Sequence, residues 1–253
     1  MTPIQSVYTI DMNLDHQHPL VKLGLILGGS LLIAVIIGAY TVFRIRAEND
    51  IVSVTGSAKM EVTSDQAKWT TQTARTVSES NLKTGYAELA SDLTAAKAFF
   101  KAQGITDAEL TVSPVSMNEV YQQNQAAEKI YTLNQTFTVQ SNDVHKLTAA
   151  ANHVSDLIGK NVIFSTLSLE YYYSKLADAR IKLLSQAIAD AKARVAELAK
   201  NSGRGVGTLK SANSGVVQVQ SLNSTDVSDY GSYDTSQVEK QITETVKASF
   251  SLR

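Results

Sequence analysis

Residues 23–43 read LGLILGGSLLIAVIIGAYTVF, twenty-one consecutive positions without a charge. At 1.5 Å of rise per residue such a run makes a helix roughly 31 Å long, the thickness of a bilayer's hydrocarbon core. The pattern predicts a short leader over 1–22, a single transmembrane anchor over 23–43, and a folded body over 47–253. The rival reading is a secretory signal, whose apolar stretch runs about 7–15 residues to a small-x-small cleavage site. Here the run ends in Thr41-Val42-Phe43-Arg44-Ile45-Arg46, so an uncleaved anchor is expected.

Beyond the anchor, apolar positions recur with periods of two and about 3.6. Tyr131, Leu133, Phe137 and Val139 alternate with Thr132, Asn134, Thr136 and Thr138, the mark of a strand with one wet face. Ile163, Leu167, Leu169, Tyr171 and Tyr173 repeat that alternation, as do Ile242, Val246, Ala248, Phe250 and Leu252. Helical stripes run through Leu82, Tyr86, Leu89, Leu93, Ala96 and Phe100, and again through Leu147, Ala150, Ala151, Val154, Leu157 and Ile158. The longest helix is expected from Ser174, as N-cap, to Asn201 before Gly203, with Leu176, Leu184, Ala187, Ile188, Ala191, Val195 and Leu198 on its apolar face.

The predicted order is strands near 51–57 and 66–77, a helix at 79–102, strands at 109–121 and 129–140, a helix at 143–158, a strand at 161–173, the long helix, and strands near 207–220 and 237–252. This is an α+β body with about seven mostly antiparallel strands and three helices. The segments 66–121 and 129–173 share a strand-helix-strand plan that suggests duplication. The polar stretches 121–128 and 221–236 read as hairpin tips.

Net charge is −1 with a sequence pI of about 6.4, which provides no basic field for nucleic acid. The absence of cysteine suits an envelope protein without disulfides but is also common in the cytosol. Lys22 precedes the anchor while Arg44 and Arg46 follow it, a count that weakly favours a cytoplasmic body.

Ile51-Val52-Ser53-Val54-Thr55-Gly56-Ser57-Ala58, followed by Glu61-Val62 and Asp65-Gln66-Ala67, resembles the opening of the SIMPL-domain family of bacterial envelope proteins. Further matches are Gly104-Ile105 with Leu110-Thr111-Val112 and Tyr121, and the long helix with Ala187, Ala189-Asp190-Ala191, Ala193-Arg194, Ala196 and Leu198-Ala199, then Gly203 and Gly205-Val206-Gly207. Ser64 stands where relatives usually carry proline. The resemblance implies an exported domain with its N-terminus in the cytoplasm and its body periplasmic or extracellular. It also implies kinship with oxidative-stress-linked and surface-immunogenic members and with ring-like or channel-like oligomers, and no established catalytic residues.

Chemical motifs are sparse. Ser80-Asn81-Leu82-Lys83 matches S-x-x-K and Lys83-Thr84-Gly85 matches K-T-G, but the two overlap where penicillin-recognising enzymes need separate elements. Gly203-Arg204-Gly205-Val206-Gly207 follows a helix and precedes a strand, the reverse of a phosphate loop, so a C-cap and tight turn are expected. His16 and His18 with Asp11 and Asp15 form a weak metal-binding set in the leader. His145 and His153, eight apart on one helix, sit roughly 12 Å from each other. Asp178 and Asp190 among Lys175, Arg180, Lys182, Lys192 and Arg194 need only solvent and i,i+4 pairing. No catalytic, cofactor-binding or metal residue is assigned, and no enzyme activity, cofactor or nucleic-acid partner is expected.

Two features concern association. Tyr171, Tyr172 and Tyr173 put aromatics on both faces at a strand's end and are the candidate oligomer contacts. Gly24 and Gly28, continued by Ser30, Ala34 and Gly38, form a small-residue face on which anchors can pack. The reading is a single-pass protein of the inner (cytoplasmic) membrane whose extracytoplasmic body self-associates as a homo-oligomer. A periplasmic small-ligand binding module is the alternative, and a hydrolase stands third.

Overall fold

The computed structural model describes residues 19–48, 50–123, 128–226 and 228–253, the side chains of residues 20 and 46–48 excepted. His16, His18 and the rest of their set lie outside the described residues. In chain order the elements are α1 (Pro19–Glu48), β1 (Ile51–Thr63), β2 (Gln66–Ser78), α2 (Leu82–Ala102), β3 (Leu110–Val112), β4 (Ser116–Val120), β5 (Ile130–Ser141), α3 (Val144–Asn152), α4 (Ser155–Ile158), β6 (Phe164–Tyr172), α5 (Leu176–Asn201), β7 (Val206–Ser214), β8 (Gln218–Ser221), β9 (Ser232–Tyr233) and β10 (Glu239–Leu252).

The apolar run lies within α1, whose Val21–Ile45 stretch is long and apolar enough to cross a membrane, with none of it buried against the body. The remaining elements form an α+β body built on two sheets. In the first, β10 is central: β1 pairs along its whole length on one side, and β7 and β8 pair end to end on the other, with β9 beyond β8. All pairings are antiparallel except β8 with β9. Helix α5 covers this sheet. In the second sheet the order is β3-β5-β2-β6, with β4 also on β5, and α2 and α3 cover one face. A β-α-β-β-α-β chain threaded in that order is the split β-α-β arrangement, in which the two expected strand-helix-strand units interleave in one sheet.

The α2 core is aromatic. Phe100 packs its ring 5.7–6.0 Å from those of Trp69, Phe99, Phe137 and Phe164. Trp69 Nε1 donates to Thr166 Oγ1 at 3.1 Å, satisfying the one polar atom of a buried indole. The α5 core is made of small residues: Ala179, Leu183, Ala187, Ala191, Val195 and Ala199 are buried at strict four-residue spacing, one i±4 ridge lying on the sheet.

The structure corrects the sequence expectations in several places. β6 carries a register shift, Thr70 pairing with Ser168 but Thr71 with Thr166, so Leu167 is skipped and the strand changes phase. Phe164 and Tyr171 therefore face the core, while Ile163 and Leu167 are 61% and 53% exposed. The strand expected at 109–121 breaks around Pro114, which has no N–H for the ladder. The strand expected at 207–220 divides at Gly215: Ser214 faces Val246 and Gln218 faces Thr243, four steps against three. The stretch 221–236 is more than a hairpin tip, since it contains β9. Leu198 on α5, Tyr86 on α2 and Ile158 on α4 are exposed. Finally, α5 begins one residue beyond its N-cap Lys175, and Ser174 turns away from it to donate its hydroxyl to Asp65 Oδ2 at 2.6 Å and its N–H to Asp65 Oδ1 at 2.7 Å.

Candidate functional site

The two sheets meet where β1 passes into β2. The Ser64 N–H donates to the Val238 carbonyl at 2.9 Å and the Asp65 N–H to the Tyr172 carbonyl at 3.0 Å, so the crossing strand is tied to both sheets at once. Serine at 64 supplies an N–H that proline lacks. Burial raises the Asp65 carboxyl, but the Ser174 hydroxyl and N–H and the nearby Lys175 charge outweigh it and hold the group below its ordinary range.

The three tyrosines lie at this joint and divide between its sides. Tyr171 is buried in the α2 core with its hydroxyl 2.9 Å from Thr148 Oγ1. Tyr173 packs against the α5 core beside Ala179 and Ile242, and its N–H donates to the Tyr233 hydroxyl at 2.8 Å. Tyr172 is half-buried, its ring 5.9 Å from that of Tyr233, and desolvation raises its phenol above the ordinary value. Tyr233 in turn lies 5.7 Å beneath the Lys240 ammonium, which donates to the Gln237 carbonyl at 2.6 Å and to the Asp234 carbonyl. Lys240 is fully buried, and desolvation lowers its pKa.

Beside Tyr172 opens a cleft of about 580 Å³ lined by Gln66, Lys68, Gln140, Asn142, Glu109 and Lys146. Its strongest charges are turned on each other. Lys146 Nζ lies 2.8 Å from Glu109 Oε1, which also accepts from Ser141 Oγ at 2.7 Å, and Oε2 accepts from the Thr106 N–H and hydroxyl at 2.9 Å. Desolvation opposes ionisation of Glu109, but these donors prevail and hold its pKa down to about 2. This is a fixed carboxylate that braces the cleft wall.

Other charged groups are used in the same way. Arg75 grips buried Asp92 of α2 with bonds of 2.6 and 2.7 Å, and gives 2.8 Å to the Asn161 carbonyl in the left-handed turn before β6. Buried Glu244 on β10 accepts from the Ser214 hydroxyl through Oε1, while Oε2 has Arg180 Nε 3.7 Å away. Ser80 of the S-x-x-K match is exposed, 3.1 Å from Ser78 Oγ, and its N–H donates to Glu128; Lys83 is exposed, and Gly85 is packed tightly on Val77. Gly203, at φ +71°, ends α5 as expected, with Arg204 N–H donating back to the Ala199 carbonyl at 2.9 Å. His145 and His153 are exposed, and no group of three potential metal ligands occurs among the described residues.

The residues that carried the family resemblance meet in one contact. Helix α5 lies so close to β1 at Gly56 that a Cβ there would overlap the Ala187 carbonyl and come within 2.5 Å of the Ala191 nitrogen. One step on, the Ser57 N–H donates to Asp190 Oδ2 at 2.8 Å, and Arg194 Nε holds the same oxygen at 2.8 Å. The Ser57 bond is the main cause of the lowered Asp190 pKa. Since β1 pairs only with β10, Asp190 occupies a donor on the outer edge of the sheet. Sequence periodicity read Asp190 as solvated. The clue it passed over was glycine in the middle of a strand facing alanines on a helix, the pattern of a close backbone approach.

Gly24, Gly28, Ala34 and Gly38 lie on α1 within an arc of about 120° at 100° per residue. No other atom stands within 4 Å of where a Cβ would sit on the three glycines.

No curated protein matches the chain. The family model of SIMPL, described as a protein of unknown function (DUF541), matches residues 52–250. That stretch runs from the second residue of β1 to within two residues of the end of β10 and takes in both sheets, the joint and the contacts of α5 with Gly56 and Ser57, so the chain belongs to the SIMPL family.

Proposed function

We propose that the chain is a non-enzymatic interaction protein of the cell envelope, anchored by α1, whose body lies outside the cytoplasm and self-associates through the open edges of the α2 sheet. One observation carries the reading: the two sheets treat their edges differently. On the α5 sheet, α5 lies against β1 and Asp190 takes one outward N–H of that strand, that of Ser57, while the outer strand β7 is exposed but polar apart from Val206 and Leu209. On the α2 sheet, β6 is the terminal strand; its C-terminal end is capped by the Tyr171 N–H donating to the Thr235 carbonyl, while its N-terminal part, flanked by exposed Ile158, Ile163 and Leu167, has no strand beyond it among the described residues. The opposite edge, β4, is exposed along its length and carries Met117, Val120 and then Tyr121. Unpaired strand edges lined with apolar side chains pair with other strands unless something blunts them. Two different open edges on one sheet suit a heterologous contact, which closes into a ring or propagates. Tyr172, the last residue of β6, sits at the rim of such a contact.

The extracytoplasmic placement that the SIMPL resemblance implies supports this reading, and Arg44 and Arg46 at the end of α1 need not prevent translocation of a domain this large. Alkaline phosphatase fused after Arg253 is expected to be active; activity of a cytoplasmic reporter there would overturn the placement. For the contact, Ile163→Lys with Leu167→Lys is expected to dissociate the assembly in sedimentation while leaving a cooperative melt. The cleft beside Tyr172 favours a second reading, a small-ligand binding module, which takes first place if the wild-type body is a monomer.

A further inference from the structure

The end of the body nearest the anchor gathers three basic side chains, one of them paired with Asp50. A hollow of about 760 Å³ there is lined by Lys192, Arg204, Gly205, Gly207, Ser251 and Arg253, with no acidic side chain in its wall. Arg204 binds Asp50 at 2.5 Å, whereas no ion pair among the described residues engages Lys192 or Arg253. The floor is rigid: Gly205 and Arg253 exchange both backbone hydrogen bonds, at 2.6 and 2.9 Å, and Leu252 N–H donates to the Asp50 carbonyl at 2.8 Å.

Covalent reach fixes where this hollow stands. The membrane-crossing stretch ends at Ile45, α1 continues to Glu48, and Asp50 is already bonded into the body. Three helical steps and two extended ones span no more than roughly 12 Å. The polar headgroup zone is roughly 5–7 Å deep on each side of the hydrocarbon, so residues bonded to Asp50 stand at its outer boundary, within a Debye length of about 8–10 Å of the lipid phosphates. Long lysine and arginine side chains close the remaining distance.

We infer that this hollow is a docking site for the headgroups of anionic phospholipids in the leaflet from which the body emerges, and that it holds the body against the membrane. Lys192 and Arg253 supply the free cations, and Arg204 positions the hollow through Asp50. The inference rests on α1 being a membrane anchor.

The test uses the full chain in phosphatidylcholine nanodiscs with and without phosphatidylglycerol, read by amide hydrogen exchange over residues 204–208 and 251–253. Phosphatidylglycerol is expected to slow exchange there about ten-fold or more, since each engaged cation contributes about a five-fold preference. The effect should vanish in K192E/R253E, a variant expected to keep the wild-type melting temperature because both side chains point into solvent-filled space, and it should weaken steeply with added salt. Equal exchange in the two lipids would overturn the inference, as would equal slowing by inorganic phosphate in phosphatidylcholine discs, which would mark a site for free anions. A chain that does not enter nanodiscs at all would overturn the anchor reading and this inference with it.

Discussion

The α5 core and the α2 core each lay a helix on an antiparallel sheet, and they do it with side chains of opposite size. On the α2 side, Trp69, Phe99, Phe100, Phe137 and Phe164 fill a wide gap between helix and strands; Arg75 and Asp92 bond to each other there, while the buried Thr71 and Thr73 hydroxyls on the same strand face have no side-chain partner. On the α5 side, a row of alanines removes the gap, so the helix backbone rests on Gly56 and a helical carboxylate reaches the strand's own N–H. The first solution gains stability from buried apolar area. The second brings backbone close enough for a helical side chain to take an edge N–H of β1, and the outer strand on the far side of that sheet, β7, is exposed but mostly polar.

Mutations separate the two solutions. Phe100→Ala should be the most damaging, at about 3–5 kcal/mol, because four aromatic rings lose their common neighbour and the cavity cannot collapse. Chemical denaturation measures it. In the α5 half the damaging change is an addition: Gly56→Val should cost about 3 kcal/mol by forcing α5 off β1, whereas Ala187→Gly should cost only about 1 kcal/mol, from helix propensity. If Gly56→Val melts like wild type, the close approach is not what holds α5.

The ion pair at the joint cleft gives a pH test. Glu109 has a folded pKa of about 2 against an ordinary 4.5, so its contribution is fully present above pH 4.5 and is lost as pH falls toward 2. With its side chain largely shielded, the loss should be on the order of 2 kcal/mol across that window after allowance for screening. Lys146→Met should shrink it. A Lys146→Met variant with the wild-type acid profile would show that the pair contributes nothing there.

Asp190→Ala has the smallest expected effect on global stability and a local one that is easy to read. The Ser57 amide should exchange faster with solvent than in wild type, while Trp69 and its neighbours stay protected. Asp190→Asn keeps an acceptor and should fall between the two. Unchanged Ser57 exchange in Asp190→Ala would remove the carboxylate from its role at the edge.

Much of the fold was legible because long periodic segments bury one face: the apolar positions of β5 and β10 and the ends of α5 at Asn201 and Gly203 came directly from spacing. β6 is misphased at its start because a bulge leaves no mark in composition: Ile163, Leu167, Leu169, Tyr171 and Tyr173 all share the odd phase, and only the register shift puts Phe164 in the core instead of Ile163 and Leu167. The missed polar contacts have a visible signal in hindsight. Lys240 and Glu244 fall two residues on either side of Ile242, on the apolar face of a strand, where a charge must find buried partners. Asp190 and Glu109 carried no such mark, since each is ordinary for its own element and gains its role only from a distant strand or helix. The tyrosine triplet is legible as a feature, and the fold places it at the joint between the sheets, a position that sequence spacing does not contain.

The mass of residues 47–253 in solution tests most directly whether the apolar-lined edges of β4 and of the N-terminal part of β6 pair with other copies. Light scattering at tens of micromolar is expected to give a multiple of the single-chain mass, retained without the anchor and lost in the Ile163→Lys, Leu167→Lys variant. A wild-type body that melts cooperatively yet weighs as one chain would contradict self-association through these edges and leave the cleft beside Tyr172 as the feature to explain.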